Sequence, residues 1–172
     1  MGSYLTNGRP TRQAIVAEPS RWHAGVEAVR VCWSDQQASR KEHTIPPREL
    51  YTIDGLGNPQ WYSAGARFGD LVWTAGQVPT GPDGSIPEDF EQQAEIVLAN
   101  LERTLEHAGA GLDTLIKVNS YLASLDDFDA YNRVYTARIG PHGLPPRTTV
   151  EIVRFPPPMR IEIEAVAHVR SA

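Results

Sequence analysis

The residues best suited to chemistry lie near the end of the chain, in residues 144–169, which read LPPRTTVEIVRFPPPMRIEIEAVAHV. Arg147 begins a predicted strand directly after two prolines, which restrict the approach of the backbone. A guanidinium has two parallel donors that match the two oxygens of a carboxylate. Arg147 is therefore either a carboxylate-binding residue or an ordinary exposed arginine at a strand start, which is how we interpret Arg154 and Arg160.

The second strand of this stretch carries two carboxylates on one face. Glu162 and Glu164 are two residues apart, and side chains with this spacing on a strand point to the same side. A carboxylate beside a substrate can position or deprotonate a water molecule, or return a proton to a leaving group. The simpler interpretation is a glutamate on a solvent-facing strand, and spacing alone does not choose between the two residues.

Periodic segments upstream predict the elements that position these residues. Apolar residues recur at helical spacing in EDFEQQAEIVLANLERTLEHAGA, with charges on the opposite side. Short alternating runs bounded by glycine-rich turns predict strands. The predicted elements are strands at 49–53, 61–66, 71–78 and 115–123, a helix from Glu88 to Gly109, a second helix capped by Asp126 or Asp127, and two closing strands.

Two one-sided helices can cover only one face of a sheet of this width. On the last strand, Ile161, Ile163 and the alanines that follow suit a core packed against helices. The alternate set, which includes Glu162, Glu164 and Val166, is neither wholly polar nor wholly apolar. Such a mixed face is typical of a subunit interface or of a lined cleft, so the pattern predicts an oligomer.

Composition excludes several classes of function. The 172 residues suffice for one domain, and a net charge of -5 lacks the broad positive field that binds nucleic acid. The five histidines are scattered, and the single cysteine, Cys32, cannot form an internal disulfide, so we predict no metal site and a cytoplasmic location. No apolar run is long enough to cross a bilayer, and residues 1–13 have no secretion pattern.

Residues 1–45 differ from the rest of the chain. They are polar and are interrupted by prolines and glycines, and the alternating piece Val26–Trp33 predicts a strand that either extends or covers a sheet edge or belongs to a recognition arm. The prolines of TIPPREL, residues 44–50, predict a linker. We therefore divide the chain into an N-terminal extension, 1–45, and a domain, 46–172.

Three stretches resemble the RidA/YjgF family, also called endoribonuclease L-PSP: YSAGARFGDLVWTAGQVP, DFEQQAEIVLANLERTLEHAGAGLDTLIKVNSYLASLDDFDAYNRVY and PPRTTVEIVRFPPPMRIEIEAVA. The resemblance spans about residues 50–170 in order. It implies an α+β, chorismate-mutase-like (YjgF-type) fold, in which a mixed β-sheet has two helices packed on one face and three chains form a trimer barrel. It also implies hydrolysis of reactive enamines and imines (2-imino acids) to 2-keto acids and ammonia, without a cofactor, in clefts between subunits.

The resemblance also implies roles for individual residues. Arg147 would bind the substrate carboxylate. Glu162 would position or deprotonate the attacking water, or return a proton to the departing nitrogen. Ala75 stands where many imine-hydrolysing members have serine, which removes one hydroxyl from the expected pocket. The other matched pocket positions are Tyr62, Gly76, Asn132 and Thr149.

Two other functions stay open at this point. Ala75 and the extension are compatible with a non-catalytic trimer that binds small carboxylates or has a regulatory role. The older family label suggests an endoribonuclease, although the acidic balance and the lack of a paired-histidine motif count against RNA cleavage.

Overall fold

A six-stranded mixed sheet and two α-helices make up most of residues 45–56 and 61–170, which are the residues described by this computed structural model. Every pair of neighbouring strands is antiparallel except the last, β4 with β5. The sheet order is β1-β2-β3-β6-β4-β5. The elements are β1 (Arg48–Tyr51), β2 (Gly65–Phe68), β3 (Leu71–Thr74), α1 (Phe90–His107), β4 (Leu115–Leu122), α2 (Phe128–Ile139), β5 (Arg147–Glu151) and β6 (Ile161–His168).

Helix α1 follows its sequence pattern closely. Asp89 caps the first turn, where its carboxylate accepts a hydrogen bond of 2.9 Å from the backbone N–H of Gln92. Gly109 has a φ of +78°, a left-handed conformation that glycine adopts at little cost, and it lies just beyond the end of the helix. The predicted apolar stripe is buried against the sheet and consists of Phe90, Ala94, Val97, Leu98, Leu101 and Leu105.

Asp127 occupies the N-cap position of α2, as predicted, but it does not make the expected side-chain bond. The hydroxyl of Ser124 accepts a hydrogen bond from the backbone N–H of Asp126. Ser124 therefore caps a short 3-10 turn, Leu125–Asp127, that leads into α2. Asp127 precedes the helix without making a side-chain cap, because its carboxylate pairs with Arg160 instead. Arg160 also lies 5.2 Å from the ring centroid of Phe90, so it is not the ordinary exposed arginine that we expected.

The hairpin is shorter than predicted. Its strands are β2 and β3, at 65–68 and 71–74, instead of 61–66 and 71–78. Trp73 pairs with Val166 of β6, and Gln77 forms a bridge with Ile163 of β6. The five residues from Trp73 to Gln77 therefore lie opposite four residues of β6, from Ile163 to Val166. The extra residue is a β-bulge that includes Gly76, and this bulge ends the regular hairpin.

The two faces of the sheet have different environments. The helices cover the face that carries the buried Val118 and Ser120 of β4. This confirms the prediction of a mixed sheet with both helices on one face. No described helix covers the opposite, open face. There Glu162 and Glu164 are half-buried, and several large apolar residues are exposed, namely Leu50, Phe68, Leu71, Trp73 and Val150.

Other predictions concern residues outside the described ranges. Cys32 and the alternating piece Val26–Trp33 lie there, so the division into an extension, 1–45, and a domain, 46–172, stays a prediction. Across residues 45–56 and 61–170, no helix has the length and apolar character needed to cross a membrane. The same ranges contain no cluster of three histidine, cysteine or acidic side chains placed to hold a metal ion.

Candidate functional site

Arg147 lies at the start of β5, on the helix-covered side of the sheet, because it pairs with the buried Val118. Its guanidinium carbon is 4.4 Å from the ring centroid of Tyr135 and 4.8 Å from that of Tyr131, both on α2. Its Nη2 donates a hydrogen bond of 2.6 Å to Oδ1 of Asn132. Arg147 and Asn132, which were both predicted as site residues, are therefore in direct contact.

The guanidinium of Arg147 faces a small cavity. The cavity has a volume of about 220 Å³, and Asn132, Tyr135, Leu144, Pro145 and Arg147 are among its lining residues. The bond to Asn132 uses one of the five N–H donors of this guanidinium, so further donors are available. A planar fork with donors directed at a small cavity is suited to a carboxylate.

Thr149 lies two residues beyond Arg147 and on the same side of β5. Its hydroxyl oxygen is buried and has no hydrogen-bond partner in the described part of the chain, and the same holds for the hydroxyl of Tyr135. A buried hydroxyl without a partner is costly, so two such hydroxyls near Arg147 need a partner such as a bound molecule or water. We call Arg147, Asn132 and Thr149 the arginine group.

A second set of predicted residues lies around the bulge. The carboxylate of Glu162 lies against Gly76, since a Cβ at position 76 would overlap Oε1 of Glu162. Tyr62 and Gly76 line one cavity of about 230 Å³. We call Tyr62, Gly76 and Glu162 the glutamate group.

Buried polar residues hold the bulge in place, and the sequence analysis did not identify them. Gln77 exchanges two backbone hydrogen bonds with Ile163, of 2.7 and 3.0 Å. Its side chain donates to the carbonyl of Ala75 at 3.0 Å and accepts from the hydroxyl of Thr104 at 3.1 Å. Asn100 donates to the carbonyls of Val78 and Thr80. The available signal was the pair Asn100 and Thr104, which are polar residues within the apolar stripe of α1.

The two neighbouring carboxylates of β6 differ in their partners. Glu164 accepts hydrogen bonds from Asn119 at 3.0 Å and from the hydroxyl of Tyr121 at 2.9 Å. For the carboxylate of Glu162, the described residues provide no such donor. Burial, and to a smaller degree the charge of Glu164, raise the pKa of Glu162 above its usual value. Glu162 and Glu164, which spacing could not distinguish, therefore differ in both hydrogen bonding and pKa.

The arginine group and the glutamate group lie on different sides of the protomer. Arg147 is on the helix-covered face, because it pairs with the buried Val118. Glu162 is on the open face, because it pairs with Tyr121, whose neighbours in β4 point to the core. One protomer therefore does not bring Arg147 and Glu162 together, and a site that uses both needs two copies of the chain.

Adding a methyl group at Gly76 is expected to move the Glu162 carboxylate into solvent. In Gly76→Ala the new Cβ would overlap the carboxylate, which is the end of a flexible side chain and can shift. Because burial is the main cause of the raised pKa of Glu162, its pKa should fall towards the ordinary value. A carbon-detected NMR titration would measure this change.

Gly140→Ala is a matched control for that titration. A Cβ at position 140 would make an ordinary contact of 3.6 Å with Thr136, so the pKa of Glu162 should stay raised. If the pKa of Glu162 is the same in Gly76→Ala as in the unaltered protein, then the contact with Gly76 does not keep this carboxylate buried.

Comparisons with known proteins agree with this arrangement of elements. The structure of YjgF from Escherichia coli superposes with a TM-score of 0.66 at 31% identity and covers 71% of this chain and 99% of that protein. The structure of E. coli TdcF with bound serine gives a TM-score of 0.61 at 34% identity and covers 74% and 98%. These similarities show that the fold is that of YjgF.

Sequence comparisons identify relatives along the same part of the chain. TdcF of E. coli K12, which is described as a reactive intermediate deaminase, is 37% identical over 114 residues, which are 64% of this chain and 88% of TdcF. The 2-iminobutanoate/2-iminopropanoate deaminase of E. coli K12 is 35% identical over 109 residues, or 62% and 85%. The endoribonuclease L-PSP family profile matches residues 53–169. This chain therefore belongs to the endoribonuclease L-PSP family, the family of RidA and YjgF.

Proposed function

We propose that the protein hydrolyses reactive enamines and imines derived from amino acids to 2-keto acids and ammonia. The observation that carries this proposal is the guanidinium of Arg147, whose remaining donors face a cavity of about 220 Å³ in a chain with relatives named as deaminases. The serine bound to TdcF is a small molecule with the carboxylate that this arginine would bind. The reaction class is hydrolysis at a C=N bond.

In the proposed mechanism, Arg147 holds the substrate carboxylate and Glu162 transfers protons. The imine reacts in its nitrogen-protonated form: Glu162 removes a proton from a water molecule while the water oxygen bonds to the imine carbon, which produces a neutral carbinolamine and protonated Glu162. Glu162 then gives this proton to the amine nitrogen and takes up the hydroxyl proton as the C–N bond breaks, so that ammonia leaves and the carbonyl forms. Transfer of the last proton from Glu162 to ammonia restores the carboxylate. A carboxylate whose pKa is raised is better matched to accepting and returning this proton than an ordinary glutamate.

The proposed site is shared between protomers of a homotrimer. Arg147 and Glu162 face opposite sides of one protomer, so the arginine group of one subunit would meet the glutamate group of the next. The open face also exposes large apolar residues, including Leu50, Trp73 and Val150, that association would bury. Heterologous contacts of this kind close into a ring, which provides one site at each subunit boundary.

Ala75 supports a second candidate function, binding of small carboxylates without catalysis. Its backbone N–H donates to the carbonyl of Ala64 at 2.8 Å, so the chain path is kept while the side chain offers no hydroxyl to a substrate. Loss of one such hydrogen bond costs about 1 kcal/mol, which weakens a site without removing Arg147 or Glu162. Carboxylate binding without hydrolysis of any imine in a panel would favour this alternative.

Mixing two impaired variants tests the shared site directly. Arg147→Ala and Glu162→Gln should each keep only about a hundredth of the unaltered activity alone, but subunit exchange between them should restore about a quarter of the unaltered rate, because half of the arginine groups and half of the glutamate groups are intact. The rate of keto-acid release would be followed for imines generated by an amino-acid oxidase, with semicarbazide competition.

A double variant carrying both changes is the control for this mixing experiment. The double variant supplies neither Arg147 nor Glu162, so in its mixture with a single variant one of the two residues is missing from every subunit. Exchange of the double variant with either single variant should therefore restore no activity. If the two single variants also fail to complement each other while exchange is verified by mass, Arg147 and Glu162 do not act across a subunit boundary.

A further inference from the structure

Arg147 stands where the sheet itself provides little support for a side chain. β5 is the terminal strand of the described sheet, so on one side Arg147 has no neighbouring strand. Pro145 and Pro146 restrict the backbone before it but do not contact the guanidinium through hydrogen bonds. A free arginine side chain has many rotamers, and a ligand that binds it must first remove this freedom.

Helix α2 supplies the support that the sheet lacks. Phe128, Tyr131 and Tyr135 recur at the spacing that places side chains on one helix face, and their ring centroids lie 5.8, 4.8 and 4.4 Å from the guanidinium carbon of Arg147. Aromatic faces attract a guanidinium and also stack with its plane. The hydrogen bond to Asn132 then sets the rotation of the fork within this aromatic support.

Tyr131 is the member of this set that is tied to the sheet. Its hydroxyl lies 2.5 Å from the hydroxyl of Ser120 on β4, and the two residues are 0% and 1% exposed. Ser120 in turn pairs with Thr149, two residues beyond Arg147 on β5. The hydroxyl of Tyr131 is thus held by β4, the strand that pairs with β5, and the ring of Tyr131 lies against the guanidinium of Arg147.

We propose that Tyr131, held by Ser120, is a positioning residue that keeps the guanidinium of Arg147 in the orientation that binds a carboxylate. Tyr131 is fully buried, so it acts through Arg147 without touching a ligand. A leucine at this position would keep an apolar side chain in the core, although a smaller one without the hydroxyl that contacts Ser120, and would offer no aromatic face. The inference rests on the carboxylate-binding role of Arg147 in the function proposed above.

The test compares the affinity of the protein for a carboxylate with kcat, the rate of hydrolysis of the bound imine. Tyr131→Leu should raise KM for 2-iminobutanoate, and weaken binding of 2-oxobutanoate in calorimetry, by about tenfold each, with kcat within about twofold. Val134→Ala on the same helix is the control for lost packing, since Val134 is buried and lines a cavity with Glu95 and Ile96 of α1, not the cavity beside Arg147. It should lower the melting temperature while leaving KM and 2-oxobutanoate affinity unchanged. An unchanged affinity in Tyr131→Leu would overturn the proposal.

A second pair of measurements separates orientation from packing and from folding failure. Tyr131→Phe with Ser120→Ala keeps the ring and removes both hydroxyls, and it should weaken 2-oxobutanoate binding by about threefold; no change would overturn the role of Ser120. In an Arg147→Lys background, Tyr131→Leu should change affinity by less than about twofold, because an ammonium has no plane to orient. A full tenfold loss in that background would show that Tyr131 acts through packing alone.

Calorimetry also distinguishes this inference from the proposed function. If the protein binds 2-oxobutanoate but hydrolyses no imine, the deaminase proposal fails, and the effect of Tyr131→Leu on binding still decides the positioning role. If imines are hydrolysed with equal KM in the unaltered protein and in Tyr131→Leu, the function stands and the positioning role fails.

Discussion

Arg147→Ala is expected to reduce kcat/KM for 2-iminobutanoate by about 100-fold or more. The variant loses a charge-assisted pair with the substrate carboxylate, and removing one partner of such a pair typically costs about 2–5 kcal/mol, where each 1.4 kcal/mol is tenfold. The aromatic rings of α2 and the side chain of Asn132 would then surround the space that the guanidinium leaves. Steady-state rates with an oxidase-generated imine provide the measurement.

Two further arginine variants make this prediction specific. Arg147→Lys keeps the charge but loses the planar fork and its stacking, so it should recover only part of the activity. Arg154→Ala removes an exposed arginine from the same region of the chain and should leave kcat/KM unchanged. Equal losses in Arg147→Ala and Arg154→Ala would indicate a general effect of charge, and no loss in Arg147→Ala would refute the assignment of the carboxylate site.

Glu162→Gln is expected to reduce kcat by about 100-fold, at the lower end of what general acid–base catalysis contributes, because imines also hydrolyse readily without an enzyme. KM should change little, since the carboxylate of the substrate is bound elsewhere. Glutamine has nearly the same shape as glutamate, so the contact with Gly76 is retained and folding should be unaffected. The kcat of the variant would be measured across a range of pH.

The pH profile adds a second readout for Glu162. A general base must be ionised, so kcat should fall as pH decreases through the pKa of Glu162. Burial and Glu164 raise that pKa, and the fall should therefore occur at higher pH than for an ordinary glutamate. Glu164→Gln removes the like charge and should move the fall to lower pH, whereas Glu162→Gln should abolish it. A profile identical in all three proteins would exclude Glu162 as the titrating group.

The same raised pKa has a consequence for stability. A carboxyl group whose folded-state pKa exceeds its unfolded value stabilises the fold in its protonated form, below the unfolded pKa, and this contribution is lost as pH rises through the folded pKa. The ionised form of Glu162 is therefore a local cost to folding. Catalytic carboxylates often carry such a cost, because the environment that matches their pKa to the reaction also disfavours their charge.

Much of the fold was readable from residue patterns. The helical spacing of apolar residues, together with Asp89 and Gly109, was sufficient to predict α1, because these are local signals of a helix face and its two ends. Alternation on β6 predicted one buried and one mixed face, which the structure confirms. Patterns failed where long-range partners compete with local ones, as when Asp127 binds Arg160 in preference to capping α2.

The sequence by itself determined which residues have suitable chemistry: an arginine after two prolines, two glutamates on one strand face, and, through the family resemblance, the choice of Glu162. Only the tertiary structure decided on which face each residue lies. Alternation of apolar and polar residues along a strand shows that neighbouring side chains point to opposite faces of the sheet. A shift of one residue in strand pairing, however, exchanges the two faces. The pairings of Arg147 with Val118 and of Glu162 with Tyr121 place the two residues on opposite faces, because strand register depends on contacts between distant segments.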